Sequence, residues 1–158
     1  KWCRSCDRSF GCLRRLIDSM TLKLPDGYSE IVMENPFLDL VGPIYGRDNE
    51  GRIEIGLYAD DRHKNPGGVV HGGLLMTLVD NLMGATIHHT VGARYAATVS
   101  LNCDFLSATK PGEWISGIGE VTRHTRSMVF IRGDIKADDR LVMSATGIFK
   151  FLDKPTTR

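Results

Sequence analysis

The longest apolar pattern in the chain runs from residue 71 to residue 89 as HGGLLMTLVDNLMGATIHH and contains no proline. Its hydrophobic residues recur at the intervals of three and four that are typical of an α-helix, at positions 74, 75, 78, 79, 82, 83, 85 and 87. Since these positions cover most of the helical circumference, we expect one long helix that is buried on most sides.

Extended segments account for most of the remaining pattern. Four follow the helix, at 94–106, 113–122, 127–136 and 140–151, and are separated by Pro111-Gly112, His124-Thr125 and Asp138-Asp139. Two more, at 44–48 and 52–58, flank Asn49-Glu50-Gly51 and predict a hairpin before the helix. The pattern therefore predicts an α+β fold, in which the hairpin and a four-strand meander form an antiparallel sheet around the long helix.

Two short helices are also predicted, at 9–20 and at 35–41. In the second, Asn35 can cap the helix and Pro36 can occupy its first position. We expect both to pack at the edge of the larger unit.

Composition narrows the class of protein. The 158 residues are 42% hydrophobic and 25% charged, which suits one globular domain with a real core. Lysine and arginine number 20 against 19 acidic residues, so no bulk charge favours nucleic acid or an anionic membrane.

No apolar run approaches the ~20 residues that span a bilayer, and residues 1–20 lack the apolar core of a secretory signal. We expect a cytoplasmic protein, with residues 1–20 as an N-terminal extension, either helical or left over from cloning, and residues 21–158 as the domain.

Three of the four cysteines lie in the first segment, where Cys3 and Cys6 have the spacing of a metal knuckle. No second pair of cysteine or histidine residues lies at a matching distance, so no metal site is expected. Cys103 falls in a strand-like run and is interpreted as a small buried hydrophobic residue.

The candidate chemistry lies at the start of the long helix, in Asn65-Pro66-Gly67-Gly68-Val69-Val70-His71-Gly72-Gly73, with Asp80 seven residues later. The first N–H groups of a helix have no intrahelical partner and can stabilise a carbonyl oxygen that gains negative charge during acyl transfer. Gly72 and Gly73 each cost about 1 kcal/mol relative to alanine in a helix, which favours either close approach of a ligand or a tight turn.

Each polar residue of this stretch has two interpretations. His71 can donate to a substrate carbonyl or brace the turn, and bracing is favoured. Asn65 is either an ordinary turn residue or an amide donor to the substrate oxygen. Asp80 is either solvated or a base, and Thr98, in the next strand, is either a common strand former or a hydroxyl that holds the carboxylate or a water.

The spacing of Gly72 and Asp80 limits how they can cooperate. Eight residues of helix place their Cα atoms ~12 Å apart, whereas a carboxylate that acts through one water needs to be much nearer the carbonyl. Two antiparallel copies of the helix would bring the start of one beside the middle of the other. The spacing therefore predicts a two-fold dimer with two identical sites.

The pattern N-x5-H-G-G-x6-D, followed by a strand that ends at Phe105-Leu106-Ser107-Ala108 and by Pro111-Gly112, resembles the PaaI-like acyl-CoA thioesterases of the hotdog fold. The resemblance extends from about Pro36 to Leu152. It implies a long central helix wrapped by a five- or six-stranded antiparallel sheet, and homodimers with a continuous sheet that often pair into tetramers.

For individual residues, the resemblance implies that Asn65 and the Gly72 N–H polarise the thioester carbonyl and that His71 braces the loop. Asp80 would activate water or attack directly, and Thr98 matches a position where similar enzymes carry serine or threonine. The substrate would also contact the remaining candidates, Gly73, Arg123, His124 and Arg126, the last three through the coenzyme A phosphates. Coenzyme A would enter only as part of the substrate, with no metal or redox cofactor.

Two other functions remain open from the sequence, a hotdog enoyl-CoA hydratase or dehydratase and a non-catalytic acyl-CoA-binding module. The type of acyl group stays open too, because six large residues could either line its pocket or belong to the core, namely Phe37, Leu40, Tyr45, Met76, Met83 and Tyr95.

Overall fold

A computed structural model describes residues 23–32, 35–92 and 95–152. The helix predicted at 9–20 and the boundary predicted after residue 20 lie outside this part of the chain. Helix α1, Pro36–Val41, confirms the second short helix, and the Asn35 side chain caps it by accepting a hydrogen bond from the Leu38 N–H at 3.2 Å. Helix α2, Gly72–Val91, confirms the long one. Within the described ranges, neither helix is both long enough and apolar enough to cross a membrane.

Within the described ranges, seven strands form one antiparallel sheet, in the spatial order β1-β2-β3-β5-β6-β7-β4. The α+β class is confirmed, and the sheet has one strand more than expected because a two-residue strand precedes α1. The strands are β1 (Ser29–Glu30), β2 (Tyr45–Asn49), β3 (Arg52–Tyr58), β4 (Ala96–Phe105), β5 (Trp114–His124), β6 (Met128–Ala137) and β7 (Arg140–Phe151).

The predicted four-strand meander is wrong in one respect. β5, β6 and β7 do pair in succession, but β4 pairs with β7, and β5 pairs with β3. The turn signals mark where strands end without fixing which strands are neighbours, and residues 106–113 connect β4 to β5 by a longer loop than a tight hairpin turn. β4 consequently lies at one edge of the sheet.

The core lies between α2 and the face of the sheet that α2 covers. Leu78, Val79, Leu82 and Met83 are fully buried there. Glycines in the strands let the helix approach closely, since a Cβ at Gly147 would lie 2.7 Å from the Met83 sulfur and one at Gly117 would lie 2.9 Å from a Leu82 methyl. This packing fixes the start of α2 beside the end of β4.

Candidate active site

At the start of α2, one backbone N–H has no partner among the residues that the structure describes. The Gly73 N–H donates to Nδ1 of the capping residue His71 at 2.9 Å, and the Leu74 N–H donates to the His71 carbonyl at 2.9 Å. Among the described residues nothing accepts a hydrogen bond from the Gly72 N–H. Of the first three N–H groups of the helix, Gly72 therefore offers the one that is free to bind a ligand oxygen.

Close contacts explain both glycines. A Cβ at Gly72 would lie 3.0 Å from Cε1 of Phe105, and a Cβ at Gly73 would lie 3.0 Å from Nδ1 of His71. Neither glycine has a positive φ, so the limited space, rather than the backbone conformation, favours glycine at each position. The Gly73 N–H, predicted to contact substrate, is engaged by the cap, whereas Gly72 lies beneath a half-exposed aromatic ring at the side of an open groove.

Phe105 is the neighbour of this site that sequence reasoning missed. In the sequence, Phe105 belongs to the motif at the end of a predicted strand, and nothing there indicates its contact with Gly72. Phe105 pairs with the buried Met143 and therefore lies on the inner face of β4. The alternation of side chains along β4 predicts this position once the pairing of β4 with β7 is known.

The loop before α2 orients the Asn65 side chain. Its Oδ1 accepts the Gly67 N–H at 2.8 Å, and its backbone N–H donates to the Val69 carbonyl at 2.8 Å. Gly68, at φ 80°, completes the turn. The Nδ2 group has no partner within the described structure. Asn65 is thus both a turn residue and a side chain with a donor left free, so the two interpretations of the sequence are compatible.

Asp80 and Thr98 are brought together. The Thr98 hydroxyl donates to Oδ1 of Asp80 at 2.7 Å. A β-bulge between Thr98 and Ser100 shifts the register of β4, and Thr98 pairs with Phe149, whose side chain is buried in the core. Thr98 is therefore on the helix side of the sheet, as its contact with the half-buried Asp80 requires.

Cys103 is near the same carboxylate and packs against the core. Burial raises the pKa of its thiol, and Asp104 and Asp80 raise it further. The thiol is neutral at physiological pH, so Asp80 is the stronger candidate for the nucleophile or base.

Gly72 and Asp80 belong to one continuous helix, which keeps them ~12 Å apart within a single copy. The residues that can polarise a carbonyl, Asn65 and Gly72, are thus separated from the residues that can activate water, Asp80 and Thr98. The predicted dimer remains a prediction at this point.

The predicted phosphate-binding residues Arg123, His124 and Arg126 lie on the exposed β5–β6 hairpin. The carbonyl of Ser127 in this hairpin accepts the Phe151 N–H at 2.9 Å, and Phe151 pairs with Ala96 at the start of β4. The hairpin is therefore near the C-terminal end of α2, a helix length of ~30 Å from Gly72 of the same copy. One chain does not bring these basic residues to its own Gly72.

The part of the chain that the structure describes holds no group of three or more histidine, cysteine, aspartate or glutamate residues that could bind a metal ion. The candidate site is built instead from hydrogen-bond donors and one carboxylate.

Known proteins resemble this chain over the same region. A family model described as the thioesterase superfamily matches residues 67–144, which include His71, Gly72, Asp80 and Thr98. The protein PA0474 of Pseudomonas aeruginosa, which carries a provisional name as an esterase, is 33% identical over 130 residues that cover 81% of this chain and 97% of the relative.

Human acyl-coenzyme A thioesterase 13 is 29% identical over 94 residues, which cover 58% of this chain and 67% of the human protein. A solved variant of the phenylacetic acid degradation protein PaaI from Thermus thermophilus superposes with a TM-score of 0.66 and 22% identity, covering 75% of this chain and all of that chain. At that identity the superposition establishes the shared fold.

Proposed function

The chain belongs to the PaaI-like hotdog thioesterases of the thioesterase superfamily, and we propose that it hydrolyses acyl-CoA thioesters to a free acid and coenzyme A. The observation that carries the proposal is the free N–H of Gly72 at the start of a long helix. Such a donor suits the oxygen of a thioester carbonyl, because that oxygen becomes negatively charged when the carbonyl carbon is attacked. The resemblance to human acyl-coenzyme A thioesterase 13 supports coenzyme A as the thiol portion.

In the proposed reaction, the oxygen of water forms a bond to the carbonyl carbon, the carbon–sulfur bond breaks, and the leaving thiolate takes up a proton. Asp80 either removes the proton from the attacking water or attacks first to form an anhydride, which water then cleaves. Asn65 and Gly72 each donate a hydrogen bond to the oxyanion, and a well-placed donor of this kind contributes about 2.7 to 4 kcal/mol to the transition state. This route uses no metal or redox cofactor, and coenzyme A takes part only as a portion of the substrate.

The site that we propose is shared between two copies. Asp80 and Thr98 come from one copy, and Asn65 and Gly72 come from the other, because one helix holds its two halves ~12 Å apart. A two-fold arrangement of antiparallel helices also places the β5–β6 hairpin of one copy at the same end of the dimer as Gly72 of the other copy. Arg123, His124 and Arg126 would then meet the coenzyme A phosphates. Pairing of two such dimers into a tetramer is part of the same proposal.

The test is release of free thiol from a panel that runs from acetyl-CoA through long-chain acyl-CoA to phenylacetyl-CoA. We expect turnover by the wild type and a loss of about a hundredfold to ten-thousandfold in kcat for Asp80→Asn, the range that a general base contributes. Asp139→Asn, an exposed carboxylate in the β6–β7 turn, is the matched control and should be unchanged. Absence of thiol release across the panel, or full activity of Asp80→Asn, contradicts the proposal.

Enoyl-CoA absorbance and acyl-CoA binding, measured beside thiol release, separate the alternatives. A hydratase would need His71 and Asp80 to act as a pair, but Nδ1 of His71 is engaged by Gly73. Loss of enoyl-CoA absorbance without thiol release would favour the hydratase, and tight binding of acyl-CoA without turnover would favour the binding module.

A further inference from the structure

His63 is a buried histidine that the proposed reaction does not use. The residue is only 7% exposed, and each of its ring nitrogens contacts a backbone group. Nδ1 accepts the Asp60 N–H at 2.9 Å, so this nitrogen carries no proton and Nε2 is the donor of the ring. Nε2 donates to the Val41 carbonyl at 2.9 Å. The ring therefore joins two segments that are 22 residues apart in sequence.

The Val41 carbonyl is at the C-terminal end of α1, where the last carbonyls of a helix have no partner within it. Arg62 makes a second contact at this end, since its Nη2 donates to the Gly42 carbonyl at 2.9 Å. Arg62 is exposed, so water can replace its hydrogen bond, whereas the buried ring of His63 leaves the Val41 carbonyl unpaired when it is removed. His63 is therefore the firmer of the two attachments to α1.

The backbone of His63 is bonded to the residue that caps α2. Its carbonyl accepts the His71 N–H at 2.7 Å. Two further backbone contacts join the two arms of the same segment towards its tip. Residues 63–71, the donor loop, are thus a narrow loop with His63 and His71 at its base. The donor loop carries Asn65, and Gly72 directly follows it.

On the basis of the proposed function, we propose that His63 is a positioning residue for hydrolysis. It holds the donor loop against α1, so that Nδ2 of Asn65 and the N–H of Gly72 converge on the thioester oxygen. His63 itself touches none of the reacting atoms. Misplacement of a group by about 1 Å can cost about a hundredfold in rate. A donor loop without its attachment to α1 therefore lowers kcat, while the groups that bind coenzyme A stay in place.

His63→Asn removes one of the two ring contacts. The asparagine oxygen can still accept the Asp60 N–H, but the shorter side chain does not reach the Val41 carbonyl. We expect kcat for a readily hydrolysed acyl-CoA to fall about tenfold to a hundredfold, with KM within about twofold of wild type. His89→Asn is the matched control and should leave both constants unchanged, because Nε2 of His89 also contacts a backbone carbonyl, that of Gly51 at 3.1 Å, near the other end of α2.

His63→Gln is the conservative variant. Its longer side chain carries an amide N–H that can reach the Val41 carbonyl, so it should recover most of the kcat that His63→Asn loses. Equal losses in the two variants would show that the contact with α1 is not what the reaction needs.

Combining His63→Asn with a substitution in each half of the site separates positioning from a general loss of structure. In an Asn65→Asp background, one donor that His63 positions is already absent, so the loss in kcat should be at least about threefold smaller than in wild type. In a Thr98→Val background the loss should equal that in wild type, because Thr98 belongs to the other half of the site. The same loss in both backgrounds overturns the proposal.

Hydrogen exchange tests the attachment without any activity. In His63→Asn, the His71 amide should exchange at least about tenfold faster relative to the Leu78 amide in the middle of α2, because the donor loop opens without unfolding the helix. A smaller rise in this ratio overturns the proposal, since His63 would then stabilise the whole fold or not hold the loop at all. Failure of the proposed function is separate, because wild-type protein would then release thiol from no acyl-CoA, whereas the exchange ratio would still respond to His63→Asn.

Discussion

The Thr98 hydroxyl is the one side-chain donor among the described residues that reaches the Asp80 carboxylate. A hydrogen bond to a charged group is worth about 1.5 to 3 kcal/mol. It also fixes the direction in which the second carboxylate oxygen points. Thr98 is therefore expected to position the carboxylate for attack rather than to touch the reacting atoms.

Replacing Thr98 by valine keeps the shape of the side chain and removes the hydroxyl. We expect kcat to fall about tenfold to a hundredfold, the rate equivalent of the lost hydrogen bond, with little change in KM. Steady-state kinetics with a readily hydrolysed acyl-CoA measures both constants.

Thr98→Ser retains the hydroxyl and should recover most of the activity, which a purely structural role of the side chain would not predict. Thr146→Val, on the exposed face of β7, controls for the general effect of this exchange in a strand. Wild-type kcat in Thr98→Val would remove Thr98 from the site.

The sequence named the residues around the helix start but not how they share their hydrogen bonds. The sequence assigned the Gly72 N–H to the thioester carbonyl and Gly73 to the substrate, yet His71 engages the Gly73 N–H and leaves the Gly72 N–H. Which of the two N–H groups is engaged depends on the rotamer of the His71 imidazole ring, and the spacing of residues in the sequence does not predict that rotamer. The contact between Gly72 and Phe105 joins residues 33 positions apart, so it depends on tertiary structure alone.

The boundaries of the helices and strands were predicted more closely than the order of the strands in the sheet. Periodicity placed α2 and the hairpin of β2 and β3 within about two residues of their observed ends, because local apolar spacing and turn residues determine where an element forms. The position of β4 beside β7 pairs segments about 40 to 55 residues apart in sequence, which local spacing does not determine.

The corner formed by β1, β2 and β3 is held by a buried carboxylate. Glu54 is only 9% exposed and accepts hydrogen bonds from Nδ2 of Asn49 at 2.7 Å, the Tyr28 hydroxyl at 2.8 Å and Nε of Arg47 at 2.8 Å. Burial alone would raise the pKa of Glu54, but these hydrogen bonds and the charge of Arg47 outweigh burial and hold the pKa below its usual range. Three segments of the chain thus depend on one ionised group.

Glu54→Gln should lower the free energy of unfolding at pH 7 by about 2 kcal/mol, since it removes charge-assisted hydrogen bonds. The pKa of Glu54 is lower in the folded state than in the unfolded state, so its stabilising effect is present above the unfolded-state pKa and disappears as the pH falls through the folded-state pKa. The difference between wild type and variant should therefore shrink on acidification.

Urea unfolding at pH 7 and at about pH 3 measures this difference, with Glu50→Gln in the exposed β2–β3 turn as the control. A gap between wild type and Glu54→Gln that is constant with pH would show that the ionised form of Glu54 contributes nothing.

The edge strand β4 and the separation of Gly72 from Asp80 both favour pairing with a second copy of the chain. β4 is ten residues long and exposes Val99 (58%) and Tyr95 just before it (56%). Long, uncovered edge strands are ready to pair with another chain. Asp80 and Thr98 lie beside this edge, so a second copy that pairs along β4 would reach them.

Two variants that each damage one half of the site test whether the halves come from different copies. Asn65→Asp keeps the acceptor for the Gly67 N–H and removes the donor to the oxyanion, while Asp80→Asn removes the carboxylate. Each variant alone should be nearly inactive. Co-expression or refolding of an equal mixture should restore about a quarter of the wild-type activity, because half of randomly assembled dimers are mixed and each has one intact site.

The double variant Asn65→Asp with Asp80→Asn, mixed equally with wild type, gives the reverse comparison. If the site is shared, mixed dimers have one defect in each site, and about a quarter of all sites remain active. If each chain builds its own site, about half remain active, and the two single variants restore nothing when mixed. The pair of mixtures therefore decides between a shared and a single-chain site from activity ratios alone. The outcome does not depend on how much each substitution slows the reaction, provided that both nearly abolish it.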